Sequence, residues 1–323
     1  MKKVVLTHRL HEDGMEILNG KVEVKIVDTG KPEEMLPHLI DAEGLIIRIG
    51  SIDRQTMLAA KNLKVIGRPG VGVDDVDVAA ATELGIPVVI APGANTRSVA
   101  EHAFALMFAT AKDLLNSDAK TRSGHFGVRN NYKAFELLEK TIGLVGYGNI
   151  GRELAGLCSA IGMKVKVYDP FIRPEKIVQQ GFGYASDLAE VLRGSDVISL
   201  HVPLSESTRN LINSEQLSMM KPNAILINCA RGGVVNEAAL AESLKNKAIH
   251  SAGLDVFAEE PVQAENIWAE LDNIVITPHM AGLTKEAASG VATMAAKGVL
   301  AVISREKWPY VANKEVYKHL RWR

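Results

Sequence analysis

Short β-branched runs alternate with helical patterns along the whole chain. Val4-Val5-Leu6, the stretches 22–27 and 44–47, Val65-Ile66 and Val88-Val89-Ile90 predict five strands of one small parallel sheet. Helical patterns over 53–60 and 76–84 separate the later strands. From Ser98 to about Asn116 the chain carries Ala, Leu, Met and Phe on most faces, which predicts one buried helix crossing between domains. A second series follows, with strands expected at 141–145, 164–168, 197–200, 224–227, 252–254 and 274–276. The Ala-rich tail from Thr284 reads as helix to about Ser304 and is expected to return to the first sheet. This alternation predicts an α/β protein with two doubly wound parallel-sheet domains, the second inserted into the first. The expected joints give 1–97 plus 288–323 as the outer domain and 98–287 as the inserted one.

The inserted series opens on a motif. The apolar run Thr141 to Val145 leads into Gly146-Tyr147-Gly148-Asn149-Ile150-Gly151, then a helical stretch, a second strand and an acid, Asp169. With 27 glycines in the chain the spacing alone is weak, but the flanking strands and the acid complete the fingerprint of a dinucleotide-binding, Rossmann-type turn. Gly146 allows the tight turn, Gly148 lets the backbone approach a pyrophosphate, and Gly151 lets the helix pack close to the strand. The helix N-terminus offers its unpaired N–H groups and positive dipole end to the phosphates. A carboxylate in the place of Asp169 accepts hydrogen bonds from ribose hydroxyls and repels a 2′-phosphate. One like-charge pair at about 4 Å costs on the order of 4 kcal/mol at an effective dielectric of about 20. NAD is therefore the expected cofactor, and Arg173 is the feature that would admit NADP as well.

Bulk properties narrow the field. A length of 323 residues suggests about two domains, and 47% hydrophobic with 23% charged residues is the balance of an ordinary globular protein. A net charge of −1 provides no field to attract nucleic acid or an anionic membrane. Cys158 and Cys229 form no C-x-x-C and no Cys/His cluster, so no disulfide framework and no metal site is expected, and a reducing compartment fits. The N-terminal apolar run is too short for a signal peptide, and no uncharged apolar stretch reaches the roughly 18 residues of a membrane span. The expected setting is the cytoplasm.

Ligands of open α/β sheets bind beyond the carboxyl ends of the strands. There the late strands are followed by Cys229-Ala230-Arg231-Gly232-Gly233, by Asp255 to Pro261, and by Pro278-His279-Met280-Ala281-Gly282. Arg231 can grip a carboxylate in fork geometry and polarise the carbonyl beside it. His279 can exchange a proton with a carbon-bound oxygen. Glu260 can orient that imidazole and favour its protonated form, with Glu259 competing for the role, and Asp255 could anchor a nicotinamide carboxamide. Singly, each could be an ordinary loop residue. Together, at successive strand ends, they are the parts needed to move a hydride and a proton between NAD and a 2-hydroxy acid.

These residues resemble the D-isomer-specific 2-hydroxyacid dehydrogenase family, over essentially the whole chain. The most specific pieces are the 146–151 glycine turn, Asn228 to Val235, Gly253 to Pro261 and Thr277 to Gly282. Gly67 to Asp74 is similar to the family's substrate loop, and Ser98 to His102 to the start of its interdomain helix. The resemblance implies a Rossmann NAD-binding domain inserted into a flavodoxin-like substrate domain, with the active site in the cleft between them and closure on binding. It implies Arg231 as substrate-binding arginine, Glu260 as histidine partner and His279 as acid/base. The substrate carboxylate is expected on the 70–72 backbone, through the N–H groups of Val71 and Gly72 beside Gly70. Val71, Asn149, Ile150, Asp169, Val202, Cys229, Ala230, Arg231, Asp255, His279 and Gly282 match positions that line NAD. A homodimer joined mainly through the cofactor domains is also implied.

Arg48 lies where phosphoglycerate dehydrogenases of this family carry an arginine that meets the substrate, and Arg129 is a second basic candidate. A 3-phosphoglycerate-like or sulfolactate substrate follows if either is used, and a hydroxypyruvate or glyoxylate type if neither is. D-Lactate is less supported. A rival of another class is an NAD-sensing, corepressor-like binding protein.

Overall fold

The computed structural model describes residues 1–322. The chain divides into two compact units, Met1–Asn95 with the segment from Leu283 onward, and Thr96–Gly282. The joints expected at 97 and 287 thus lie earlier. The second falls just before the helix Lys285–Ile303, which Thr284 caps by accepting from the Ala287 N–H and which belongs whole to the first unit.

In the first unit β1 (Lys3–Leu6), β2 (Glu23–Ile26), β3 (Gly44–Ile46), β4 (Val65–Gly67) and β5 (Val88–Val89) form one sheet in the order β2-β1-β3-β4-β5. Every pair is parallel, and the order is that of flavodoxin-like folds. Alternate side chains feed two cores. Val5, Leu45, Ile66 and Val88 pack with Met35, Leu39 and Met57. Val4, Leu6, Ile46, Val65 and Val89 pack with Val299 and Val302 from the returning helix. The contact is close: a Cβ placed on Gly67 would lie 2.7 Å from Val299 Cγ2. That helix is long and apolar enough to cross a membrane by length and composition, but its Ala292, Ala296, Val299 and Val302 face is spent on the sheet.

In the second unit β6 (Thr141–Val145), β7 (Lys164–Tyr168), β8 (Gly183–Tyr184), β9 (Val197–Leu200), β10 (Ile225–Asn228), β11 (Ser251–Leu254) and β12 (Ile274–Ile276) run in the order β12-β11-β10-β9-β6-β7-β8. All pairs are parallel. This is the Rossmann order with one strand added beyond the sixth. The hydrophobic pattern missed β8, because a two-residue strand displays no alternation. The long helix expected from Ser98 to Asn116 is also broken. The helix Thr96–Ala111 buries half its residues, including Leu106 and Met107. Asp113 then turns left-handed at φ +50°, and a second helix, Leu114–Arg122, buries none. Asp is among the residues that tolerate this conformation, and composition alone does not disclose it.

Asn313, fully buried in the return segment, accepts from the Val88 N–H at 2.9 Å and donates to the Ile86 carbonyl and the Thr82 hydroxyl, each at 3.0 Å. A buried group left without its partner costs about 1–3 kcal/mol. Asn313→Ala is therefore expected to lower the stability of the first unit by about 2 kcal/mol or more in urea denaturation. A change below about 0.5 kcal/mol would remove this clamp from the fold's supports.

Candidate active site

The glycine turn is built as its spacing requires. Gly146 sits at φ +96°, and a Cβ there would lie 2.5 Å from the His201 carbonyl oxygen. A Cβ on Gly151 would lie 2.6 Å from the Gly146 carbonyl oxygen, so the helix start packs directly on the turn. A Cβ on Gly148 would meet nothing within 4 Å, which leaves an open cradle. The helix Asn149–Ala160 begins there, and its cap, Gly148, has no side chain to take its N–H groups. Asn149 is exposed and Ile150 half-buried at that start, and Val202 is half-buried just after β9. At the end of β7, Asp169 accepts from the Tyr147 N–H at 2.8 Å and the Phe171 N–H at 2.9 Å, one bond on each oxygen. Both oxygens keep acceptor capacity for hydroxyl donors. An open cradle, an uncapped helix start and a carboxylate with spare lone pairs fit a dinucleotide's pyrophosphate and ribose.

Beyond β10, β11 and β12 lie the polar residues. Buried Asn228 shapes the arginine turn: its amide donates to the Arg231 carbonyl and accepts from the Ala230 N–H, both at 3.0 Å. The Arg231 guanidinium donates to the Ala230 carbonyl at 2.7 Å. Cys229 beside it is buried, and burial raises its thiol far above the ordinary range, so it stays protonated. His279, in the left-handed region at φ +50°, is half-exposed, and its Nδ1 meets Glu260 Oε2 at 2.7 Å. Glu260 is held in turn, its other oxygen accepting from the Phe257 N–H at 3.0 Å. Glu260 therefore takes the place for which Glu259 competed.

Asp255, at the end of β11, is tied into the turn that carries His279. It is fully buried. One oxygen accepts from the Thr277 hydroxyl at 2.6 Å and the Met280 N–H at 2.9 Å, the other from the Ala281 N–H at 2.8 Å. These bonds brace the turn that carries His279. The Thr96–Ala111 helix adds two ties to that turn. His102 Nε2 lies 2.9 Å from Thr277 Oγ1, and Ser98 donates to the Ala281 carbonyl at 2.5 Å. Gly282 ends the turn, half-buried. Asn228, Thr277, His102 and Ser98 had no role in the sequence reading. A polar residue ending a β-strand, as Asn228 does, was the one signal that could have found them.

The remaining candidates are placed within their own units. In the first unit Arg48 is exposed, while Gly70 accepts from the Ala91 N–H at 2.7 Å. The Val71 and Gly72 N–H groups donate to no acceptor among the described residues. In the second unit Arg129 stacks over the Phe126 ring at 5.6 Å, in a 3-10 turn remote in sequence from the strand ends.

Comparison with known proteins shows the family. Residues 104–281 match the family model described as D-isomer specific 2-hydroxyacid dehydrogenase, NAD binding domain. The chain is 42% identical over 314 residues to a D-3-phosphoglycerate dehydrogenase of Methanocaldococcus jannaschii, covering 97% of this chain and 60% of that one. It thus spans about three-fifths of that relative's length. It is 37% identical to a glyoxylate reductase of Pyrococcus furiosus, covering 98% of this chain and 96% of the relative. Among solved structures, an NADPH-dependent glyoxylate/hydroxypyruvate reductase of Sinorhizobium meliloti superposes with a TM-score of 0.86 at 27% identity, covering 98% and 99% of the two chains.

Two outcomes are expected. Asp255→Asn sets an NH₂ group against a ring of donors, and a buried donor left unsatisfied costs about 1–3 kcal/mol. Thermal unfolding should show a clear loss, and an unchanged Tm would contradict the brace. Burial pushes the His201 imidazole down to about 4 from its usual 6.5. The unfolded chain then takes the proton first, so this group's share of stability is present above about pH 6.5 and lost as pH falls toward 4. His201→Gln should flatten that part of the acid limb in denaturation measured across pH; an identical limb would contradict it.

Proposed function

This chain belongs to the D-isomer-specific 2-hydroxyacid dehydrogenases, and from that membership we propose that it interconverts a small D-2-hydroxy acid and its 2-oxo acid with NAD. The observation that supports this most is His279 held on Glu260 at 2.7 Å, on the sheet edge that also carries Arg231. The bound nicotinamide supplies the hydride in reduction and accepts it in oxidation. Arg231 takes the substrate carboxylate and stabilises the charge that develops on the carbonyl oxygen. His279 delivers a proton to that oxygen in reduction and takes it back in oxidation. Glu260 accepts from Nδ1–H, which leaves Nε2 as the nitrogen that exchanges the proton. The Val71 and Gly72 N–H groups, which have no acceptor among the described residues, are proposed as donors to the substrate carboxylate, with Gly70 leading into them. Cys229, Ala230 and Gly282 are proposed to line the nicotinamide side, and Asn149, Ile150 and Val202 the phosphate side.

NAD over NADP is part of the proposal and rests on the spare acceptor capacity of Asp169, although the Sinorhizobium relative is NADPH-dependent. We also propose a homodimer. Leu114, Leu115, Phe126, Tyr132 and Leu138 are all exposed in the segment after Asp113, and a second copy would cover such apolar side chains. A cytoplasmic setting suits the two buried, free cysteines.

The decisive test is loss of NADH absorbance with glyoxylate, hydroxypyruvate, pyruvate, 3-phosphohydroxypyruvate and 3-sulfopyruvate. Turnover of at least one is expected, and turnover of none, with NADH still bound, would replace the enzyme by a binding protein. Preference for a doubly anionic acid would assign Arg48 or Arg129 to the second anion, and Arg48→Ala should then raise KM. The NADH to NADPH ratio of kcat/KM is expected to exceed about tenfold and to fall in Asp169→Ala. An unchanged ratio would remove Asp169 from cofactor choice.

A further inference from the structure

The loop that carries Glu260 is fastened to the start of the helix that follows the Arg231 turn by a carboxylate outside the reacting set. Glu237 is the first residue of the helix Glu237–Lys245, which Asn236 caps by accepting from the Ala239 N–H. Its Oε1 accepts the backbone N–H of Ala258 at 2.5 Å. The preceding N–H, that of Phe257, donates to Glu260 Oε1 at 3.0 Å, and Glu260 Oε2 meets His279 at 2.7 Å. Two successive N–H groups therefore hold two carboxylates, one that fastens the loop and one that serves the histidine. The same peptide sits hard against the arginine turn. A Cβ on Gly232, the residue after Arg231, would lie 1.8 Å from the Phe257 carbonyl oxygen. Only glycine permits that approach.

The bond to the Ala258 N–H needs an acceptor oxygen at this place and not a charge. Glu237 is half-buried, and burial together with the charges of Glu259 and Glu260 raises its carboxyl above the ordinary carboxylate range. A glutamine would accept the Ala258 N–H without desolvating a charge.

We propose that Glu237 is a positioning residue for the acid–base pair: by holding the 257–258 peptide it sets where Glu260 meets His279, and keeps that pair in register with the Arg231 turn. This rests on the dehydrogenase reading above. The mechanism is geometric. Misplacing a reacting group by about 1 Å can cost on the order of 100-fold in rate, and Glu260 acts only at hydrogen-bond distance.

The test compares wild type with Glu237→Gln, Glu237→Ala and Glu237→Asp, using the preferred 2-oxo acid across the pH range and NADH binding by fluorescence. Glu237→Ala is expected to lower kcat about tenfold or more with NADH affinity nearly unchanged. It should also move the fall of reductive turnover to lower pH, because a displaced Glu260 stabilises the protonated imidazole less. Glu237→Gln keeps an oxygen for the Ala258 N–H and should restore most of the kcat and the wild-type profile. Glu237→Asp is one methylene too short and should behave like Ala, which keeps the test alive if the alanine variant misfolds. Wild-type kcat and pH profile in Glu237→Ala, or equal failure of Gln and Ala, overturn the assignment. A wild type that turns over no 2-oxo acid overturns the dehydrogenase reading and this assignment with it.

Discussion

The buried carboxylate of Asp255 is the constraint on which the second unit's strand-end chemistry depends. A carboxyl group fully enclosed by protein is costly unless hydrogen-bond partners surround it, and here a hydroxyl and two backbone N–H groups do so. Those donors come from Thr277, Met280 and Ala281, on either side of His279. The bonds that compensate the carboxylate therefore also fix the turn that presents the histidine, whose backbone sits in the left-handed region. The same loop continues from Asp255 to Glu260, so the end of β11 supplies both the brace and the histidine's partner. The end of β12 supplies only the imidazole.

A second constraint is backbone proximity. Gly146, Gly151 and Gly232 each occupy a place where a Cβ would strike a carbonyl oxygen. The first two draw the helix Asn149–Ala160 against β6 and leave its N-terminus open at Gly148. The third lets the arginine turn lie on the 257–258 peptide. Steric closeness in these places sets the backbone of the glycine turn and of the arginine turn by shape alone.

Much of this was legible in the sequence, where a local rule connects residue to structure. The strands were legible because buried parallel strands are continuous β-branched runs. The glycine turn was legible because only glycine satisfies it, and Arg231, Glu260 and His279 because they follow strands directly. The rest depends on partners distant along the chain. Asp255 bonds residues 22 to 26 positions away, and nothing local distinguishes a brace from a cofactor ligand. Asn228 opens a family-like piece of sequence, but nothing local shows that its amide shapes the arginine turn. The break at Asp113 is a single dihedral, and β8 is too short to show a period.

Family membership and site geometry meet at one group, the imidazole of His279. The most direct measurement is the single-turnover rate of NADH oxidation by a 2-oxo acid in His279→Ala, beside its NADH affinity. The expected result is unchanged NADH affinity with hydride transfer slowed by about 10²–10⁴-fold, the usual contribution of a placed general acid. Transfer at the wild-type rate would contradict the assignment of His279 as the proton donor.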